Sequence, residues 1–197
     1  MPVFYEKRNH VGWLTLSRPE ARNAWGDDFN EEIARHCGEM VSDPEIRLAV
    51  LTGDEEGGAF SAGANLKNPR THSQASMAEF IEGLSQRHRT AGQVLSEFPK
   101  PVIAAVNGYA VGIGCIVTYC CDLIIASDRA EWRLPQVALG ILPNHGGIVR
   151  LARWVGKGQA MKVAMGYAMK AEEAFRFGLA QWLVPHAELI AQTTSIA

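Results

Sequence analysis

The sequence predicts an α/β protein whose central strands are buried on both faces. Residues 48–52 (LAVLT), 102–106 (VIAAV) and 123–126 (LIIA) are short, nearly continuous apolar runs. Such runs suit parallel strands covered on both sides better than strands with one wet face. Helical segments or glycine-opened segments stand between them, which is the alternation of an α/β fold. At 197 residues with 47% apolar and 20% charged content, the chain is large enough to bury a real core.

The elements follow in order. Val11 to Leu16 (VGWLTL) alternates like a strand, and Val3 to Arg8 can pair with it through an Asn9-His10 turn. Arg18-Pro19-Glu20 breaks that pattern. Asp27 or Asp28 is expected to cap a helix with Phe29, Ile33, Cys37 and Met40 on one face, ended by Asp43-Pro44. After the first buried strand comes a glycine-rich loop, GDEEGG. A helix is expected over 76–98, then the second buried strand. Asn107-Gly108 follows it, and then a small-residue helix is expected near 112–121. The third strand is followed by helical stretches near 147–155, 158–165 and 171–177, and by a short strand over 179–184.

Composition excludes several classes of protein. Nineteen basic against 21 acidic residues give a formal charge of −2, so no nucleic-acid partner is expected. The low-charge stretch 101–121 is interrupted by Asn107-Gly108, so no membrane span is expected. No signal pattern opens the chain, and a cytoplasmic location is the expectation. Cys37, Cys115, Cys120 and Cys121 show no metal-ligand spacing with the six histidines, so no metal is expected; no cofactor is expected either. Buried, reduced thiols are the simpler reading.

Two segments can carry chemistry. Ala59-Phe60-Ser61-Ala62-Gly63-Ala64-Asn65-Leu66-Lys67 follows a buried strand and a glycine loop, and its small residues let a ligand approach the backbone. Val106-Asn107-Gly108-Tyr109-Ala110-Val111-Gly112-Ile113-Gly114 leads from a strand into glycines that open a helix, whose first N–H groups are free. It is neither a dinucleotide fingerprint nor a phosphate-binding Walker loop. Two loops that each offer a backbone N–H are what an oxyanion hole requires.

Six segments in order, LSRPEARNAW, AFSAGANLK, FPKPVIAAVNGYAVGIG, CDLIIAS, LPQVALGILPNHGG and LARWVGKGQAM, make the chain resemble the crotonase (enoyl-CoA hydratase/isomerase) superfamily. The resemblance runs from about Val3 to Leu189. It implies a spiral of ββα units, with two roughly perpendicular sheets wrapped by helices in one core domain over 1–197. It implies an acyl-CoA thioester as substrate and a homotrimer or hexamer. It also implies an oxyanion hole from the backbone N–H groups of Ala64 and Ile113. Arg22, Ala24, Ala62, Asn65 and Leu66 match segments that hold the CoA portion, and Lys67 is the best basic candidate beside its phosphates.

The chain departs from the family pattern at the reacting end. The two glutamates that hydratases use fall on Ile116 and Gln136, and neither exchanges a proton near neutral pH. The aspartate used by some isomerases and dehalogenases falls on Asn144. Its neighbour His145 is the titratable candidate. Gln136, Asn144 and His145 are therefore the polar groups expected at the reacting end. Ordinary hydration is doubtful, and decarboxylation, hydrolysis, C–C cleavage or non-catalytic acyl-CoA binding stay open. His10, His36, His72 and His88 are weaker candidates, and Tyr109 and Tyr119 are expected to pack. The C-terminal helices that usually complete the family's fold are expected to be mostly missing.

Overall fold

The computed structural model describes residues 2–65 and 89–197. Chain order is β1 (Val3–Arg8), β2 (Val11–Leu16), α1 (Asp27–Ser42), β3 (Leu48–Gly53), β4 (Ala59–Ser61), α2 (Ala91–Ser96), β5 (Val102–Val106) and β6 (Tyr109–Val111). There follow α3 (Ile113–Thr118), β7 (Leu123–Ser127), β8 (Glu131–Arg133), α4 (Gly147–Ala164), β9 (Met169–Lys170), α5 (Ala171–Arg176), β10 (Trp182–Val184) and α6 (Leu189–Ile196).

Among the described residues ten strands form two sheets. One has the order β1-β2-β3-β5-β7-β10 and is parallel except for the β1/β2 hairpin. The other has the order β4-β6-β8-β9 and is parallel except at β8/β9. Successive turns of chain place one strand in each sheet: β3 then β4, β5 then β6, β7 then β8. This is the α/β spiral expected from the resemblance.

Side-chain alternation explains why the middle strands are apolar throughout. Leu51, Ala104 and Ile124 face a core shared with Phe29, Ile33, Met40, Phe60 and Trp132. Val50, Ile103 and Ile125 face the other way, onto Trp13 and Leu189. Leu189 belongs to α6, which the sequence reading did not foresee.

Three expectations need correction. The helix α1 is capped by the backbone of Gly26, with Asp27 and Asp28 inside its first turn. The expected helix begins at Ile113, and before it lies a strand that was not foreseen, β6, which pairs with β4 and β8. Tyr109 is 44% exposed rather than packed, whereas Tyr119 is buried and hydrogen-bonded to Cys115 Sγ at 2.7 Å. Of the helix expected over 76–98, only Ala91–Ser96 is helical among the described residues. Thr90 caps it and the chain has left the helix by Glu97. The stretches near 147–155 and 158–165 are both helical within α4, interrupted at Gly156 with φ +76°. Among the described residues no helix is long and apolar enough to cross a membrane.

Candidate active site

The two sequence segments singled out for chemistry meet at the ends of β4 and β6. Gly63 has φ +86° and Gly112 has φ +54°, a region costly for residues with a Cβ. A Cβ on Gly63 would lie 2.8 Å from Val111 O and 3.8 Å from Gly112 Cα. A Cβ on Gly112 would lie 3.9 Å from Gly63 Cα. The backbones thus touch at the residues immediately before Ala64 and Ile113.

Several bonds hold this junction. Gly112 N–H donates to Arg133 O at 2.9 Å, fixing the end of β6 to β8. The helix α3 packs so tightly on β4 that a Cβ on Gly114 would fall 2.6 Å from Ser61 Cβ. Trp132 Nε1 donates to Thr118 Oγ1 at 3.0 Å, tying α3 to β8. Ala64 and Ile113 N–H have no acceptor among the described residues. Ile113 opens α3, where the first N–H groups lack helical partners.

The segments expected to hold CoA also come together. Ala62 N–H donates to Arg22 O at 3.0 Å, Trp25 N–H to Gly63 O at 2.7 Å, and Asn65 N–H to Trp25 O at 2.9 Å. Residues 22–25 and 62–65 therefore run side by side as a short parallel bridge. Ala24 is buried, Arg22 and Ala64 are exposed, and Ala62 and Asn65 are half-buried. Leu66, Lys67, His72 and His88 lie outside the described residues.

Sequence reasoning missed the organiser of this bridge, Asn23. It is fully buried with φ +56°. Its Nδ2 donates to Ala59 O at 2.8 Å and Asp54 O at 3.1 Å, while its Oδ1 accepts from Arg18 N–H at 2.9 Å. One side chain thus fastens the 18–25 loop to the start of β4. The signal was available: asparagine tolerates left-handed backbone and hydrogen-bonds locally, and it sits here in an irregular Arg-Asn-Ala stretch.

The reacting-end residues separate into two groups. Gln136 lies in a short 3-10 turn, Pro135–Leu139, directly after β8. The point a Cβ on Gly112 would occupy is 3.8 Å from Gln136 Nε2, so this amide borders the junction. Gln136 Oε1 is buried with no hydrogen-bond partner among the described residues. Ile116 is fully buried, and its Cγ1 and Cδ1 lie 2.9 Å and 3.0 Å from where a Cβ on Gly147 would stand. Asn144 and His145 are exposed, and His145 Nδ1 lies 2.6 Å from Asn144 Oδ1. His145 has φ +51°, in the turn that leads into α4.

Other candidates stand apart. His36 is buried on α1 between Glu39, 2.9 Å from Nδ1, and Glu32, 3.6 Å from Nε2. Burial pushes the Cys115 and Cys37 thiols up to about 12 and raises those of Cys120 and Cys121, the profile of inert core thiols. Among the described residues no three His, Cys, Asp or Glu side chains cluster as a metal site. A cavity of about 540 Å³ lined by Glu55, Asn107, Tyr109, Arg129 and His186 opens at the other end of β4 and β6, away from Ala64 and Ile113.

Comparison with known proteins agrees with this architecture. Residues 6–197 match the family model for enoyl-CoA hydratase/isomerase. The chain is 38% identical over 197 residues to the short-chain-enoyl-CoA hydratase of Clostridium acetobutylicum, covering 99% of this chain and 73% of that protein. It is 36% identical over 196 residues to the crotonyl-CoA hydratase of Syntrophomonas wolfei, covering 99% and 74%. The crystal structure of an enoyl-CoA hydratase from Bacillus anthracis superposes with a TM-score of 0.87 at 30% identity, over 100% of this chain and 75% of that one. With sequence and fold in agreement, the chain belongs to the enoyl-CoA hydratase/isomerase family of the crotonase superfamily.

Proposed function

We propose that the protein binds an acyl-CoA thioester and stabilises its enolate with the backbone N–H groups of Ala64 and Ile113. The observation that supports this reading is the close approach of Gly63 and Gly112, the residues before Ala64 and Ile113, whose N–H groups have no acceptor among the described residues. Preorganised donors of this kind act where charge develops, and losing one typically costs about 10²–10³ in rate. The bridge between residues 22–25 and 62–65 supports Arg22, Ala24, Ala62 and Asn65 as the CoA-holding edge, continued by Leu66 and Lys67.

The side chains at the reacting end do not favour ordinary hydration. Ile116 is apolar and sealed against Gly147. Gln136 and Asn144 are amides, which donate and accept hydrogen bonds but do not transfer protons near neutral pH. The reading needs no cofactor beyond the acyl-CoA substrate. A homotrimer or hexamer accords with exposed Leu139, Ile141, Leu142, Val149 and Met165, which leave apolar surface for a neighbour.

The test uses crotonyl-CoA and follows both binding and acyl-CoA mass. Binding with unchanged mass is expected. Rapid gain of one water overturns the argument from Ile116 and Gln136, and no binding overturns the acyl-CoA reading itself.

A further inference from the structure

Four neighbouring strands of the larger sheet, β3, β5, β7 and β10, run parallel, so their C-terminal ends lie together at one end of the sheet. Residues just beyond those ends line the cavity of about 540 Å³: Glu55 after β3, Asn107 after β5, Arg129 after β7 and His186 after β10. The carboxyl ends of parallel strands are where open α/β sheets commonly bind ligands. The volume falls within the range of about 300–1,000 Å³ usual for small-molecule sites.

The fold braces this rim. Asn107 Nδ2 donates to Gly53 O at 3.0 Å, and Ser127 Oγ donates to Asn107 O at 3.1 Å. Arg129 N–H donates to the same Ser127 Oγ at 3.2 Å. His186 N–H donates to Asp128 Oδ1 at 3.0 Å, and its Nε2 lies 2.5 Å from Glu55 Oε1.

Polar capacity is left over inside that frame. Asn107 is only 5% exposed, yet its Oδ1 has no hydrogen-bond partner among the described residues. His186 Nδ1 is buried and equally unpartnered. In the neutral ring a proton on Nε2 serves Glu55 and leaves Nδ1 an acceptor. A buried acceptor without a donor costs free energy that a ligand's donor recovers. With the Glu55 carboxylate, the cavity therefore offers three acceptor groups. An ammonium group carries three donors and no acceptor, which matches them. Arg129 supplies the opposite charge, since its guanidinium makes no hydrogen bond or ion pair among the described residues. A guanidinium pairs with a carboxylate through two parallel hydrogen bonds. Tyr109, 44% exposed, lines the same cavity and adds an aromatic surface.

We infer that this cavity is a second binding site, apart from the acyl-CoA junction, and that its ligand is an α-amino acid with an aromatic side chain. The ammonium sits among Asn107 Oδ1, His186 Nδ1 and Glu55. The carboxylate pairs with Arg129, and the side chain packs on Tyr109. The inference does not depend on the enolate reading.

The experiment titrates isotope-labelled intact protein with L-phenylalanine and follows backbone amide shifts. Two analogues are titrated beside it: 3-phenylpropionate, which lacks the ammonium, and phenethylamine, which lacks the carboxylate. L-Phenylalanine should give saturable shifts at Gly58, Gly108 and Arg129, with little change at Ala64 or Ile113. Each analogue should bind roughly tenfold or more weakly, the loss of a hydrogen bond to a charged group. Arg129→Gln should weaken L-phenylalanine by a similar factor while leaving phenethylamine within about twofold of wild type. Glu55→Gln should weaken L-phenylalanine and phenethylamine and spare 3-phenylpropionate. Both side chains are exposed, so melting profiles should be unchanged. Absence of saturable shifts with L-phenylalanine at millimolar concentration overturns the inference. Equal affinity for 3-phenylpropionate in the wild type also overturns it, because the cavity would then recognise only an anion. L-Phenylalanine affinity unchanged in Arg129→Gln, or shifts centred on Ala64 and Ile113, would overturn it as well.

Discussion

Replacing Gly63 by alanine tests whether the contact at the junction matters for function. With φ +86°, an alanine here pays about 1–2 kcal/mol for left-handed backbone. Its Cβ would also sit 2.8 Å from Val111 O and 3.3 Å from Val111 C, both backbone atoms that must shift to make room. Overpacking of that kind costs about 1–3 kcal/mol. The sum, about 2–5 kcal/mol, lowers Tm by roughly 5–15 °C for a chain of this size. The same shift separates the strand ends that precede Ala64 and Ile113, so butyryl-CoA affinity should fall about tenfold, the equivalent of one to two hydrogen bonds. The control is Gly58→Ala. Gly58 has φ +61° but no atom within 4 Å of the added Cβ, so it carries the conformational cost alone. Thermal melts and competition binding on both variants give the comparison. Equal affinity in the two, with Gly63→Ala folded, would refute the reasoning that the glycine contact aligns the donors.

Three further outcomes follow from the same structure. Asn23→Ala removes three hydrogen bonds from a fully buried side chain and should destabilise by about 2–4 kcal/mol in chemical denaturation, with weakened butyryl-CoA binding. The four thiols should resist iodoacetamide at mildly alkaline pH in the native protein and react together on unfolding, because burial raises all four and holds Cys37 and Cys115 at about 12. Hydrogen bonds from Lys162 to Glu173, from Arg35 to Glu32 and from Lys7 to Asp43 hold these carboxyls below their usual range. Their contribution is present at neutral pH and lost as pH falls through those lowered values. Tm should therefore drop below about pH 4, and Glu173→Gln should narrow that drop.

The long apolar segments were legible because burial on both faces leaves a simple pattern. The hairpin of β1 and β2, the strand β5 and the buried face of α1 all follow directly from residue order. The strands of the smaller sheet were not legible, since β4, β6 and β8 have three residues each and β9 has two. At that length neither alternation nor a continuous run can be distinguished, and pairing between distant segments decides the outcome. Tyr109 shows the consequence, because an aromatic expected to pack is turned outward by its register in β6. The small residues of the site were visible as glycine-rich loops, but the contact between Gly63 and Gly112 was not. It depends on β4 and β6 being neighbours. Asn23 was passed over because its role lies in three backbone partners, two of them more than 30 residues away.

Amide NMR at Ala64 and Ile113 tests the central claim most directly. The isotope-labelled protein is titrated with butyryl-CoA and, separately, with free CoA, which lacks the thioester carbonyl. The account predicts downfield shifts of both amide protons with butyryl-CoA and much smaller ones with CoA alone. Equal responses to the two ligands, or no response at either residue while butyryl-CoA is bound, would contradict it.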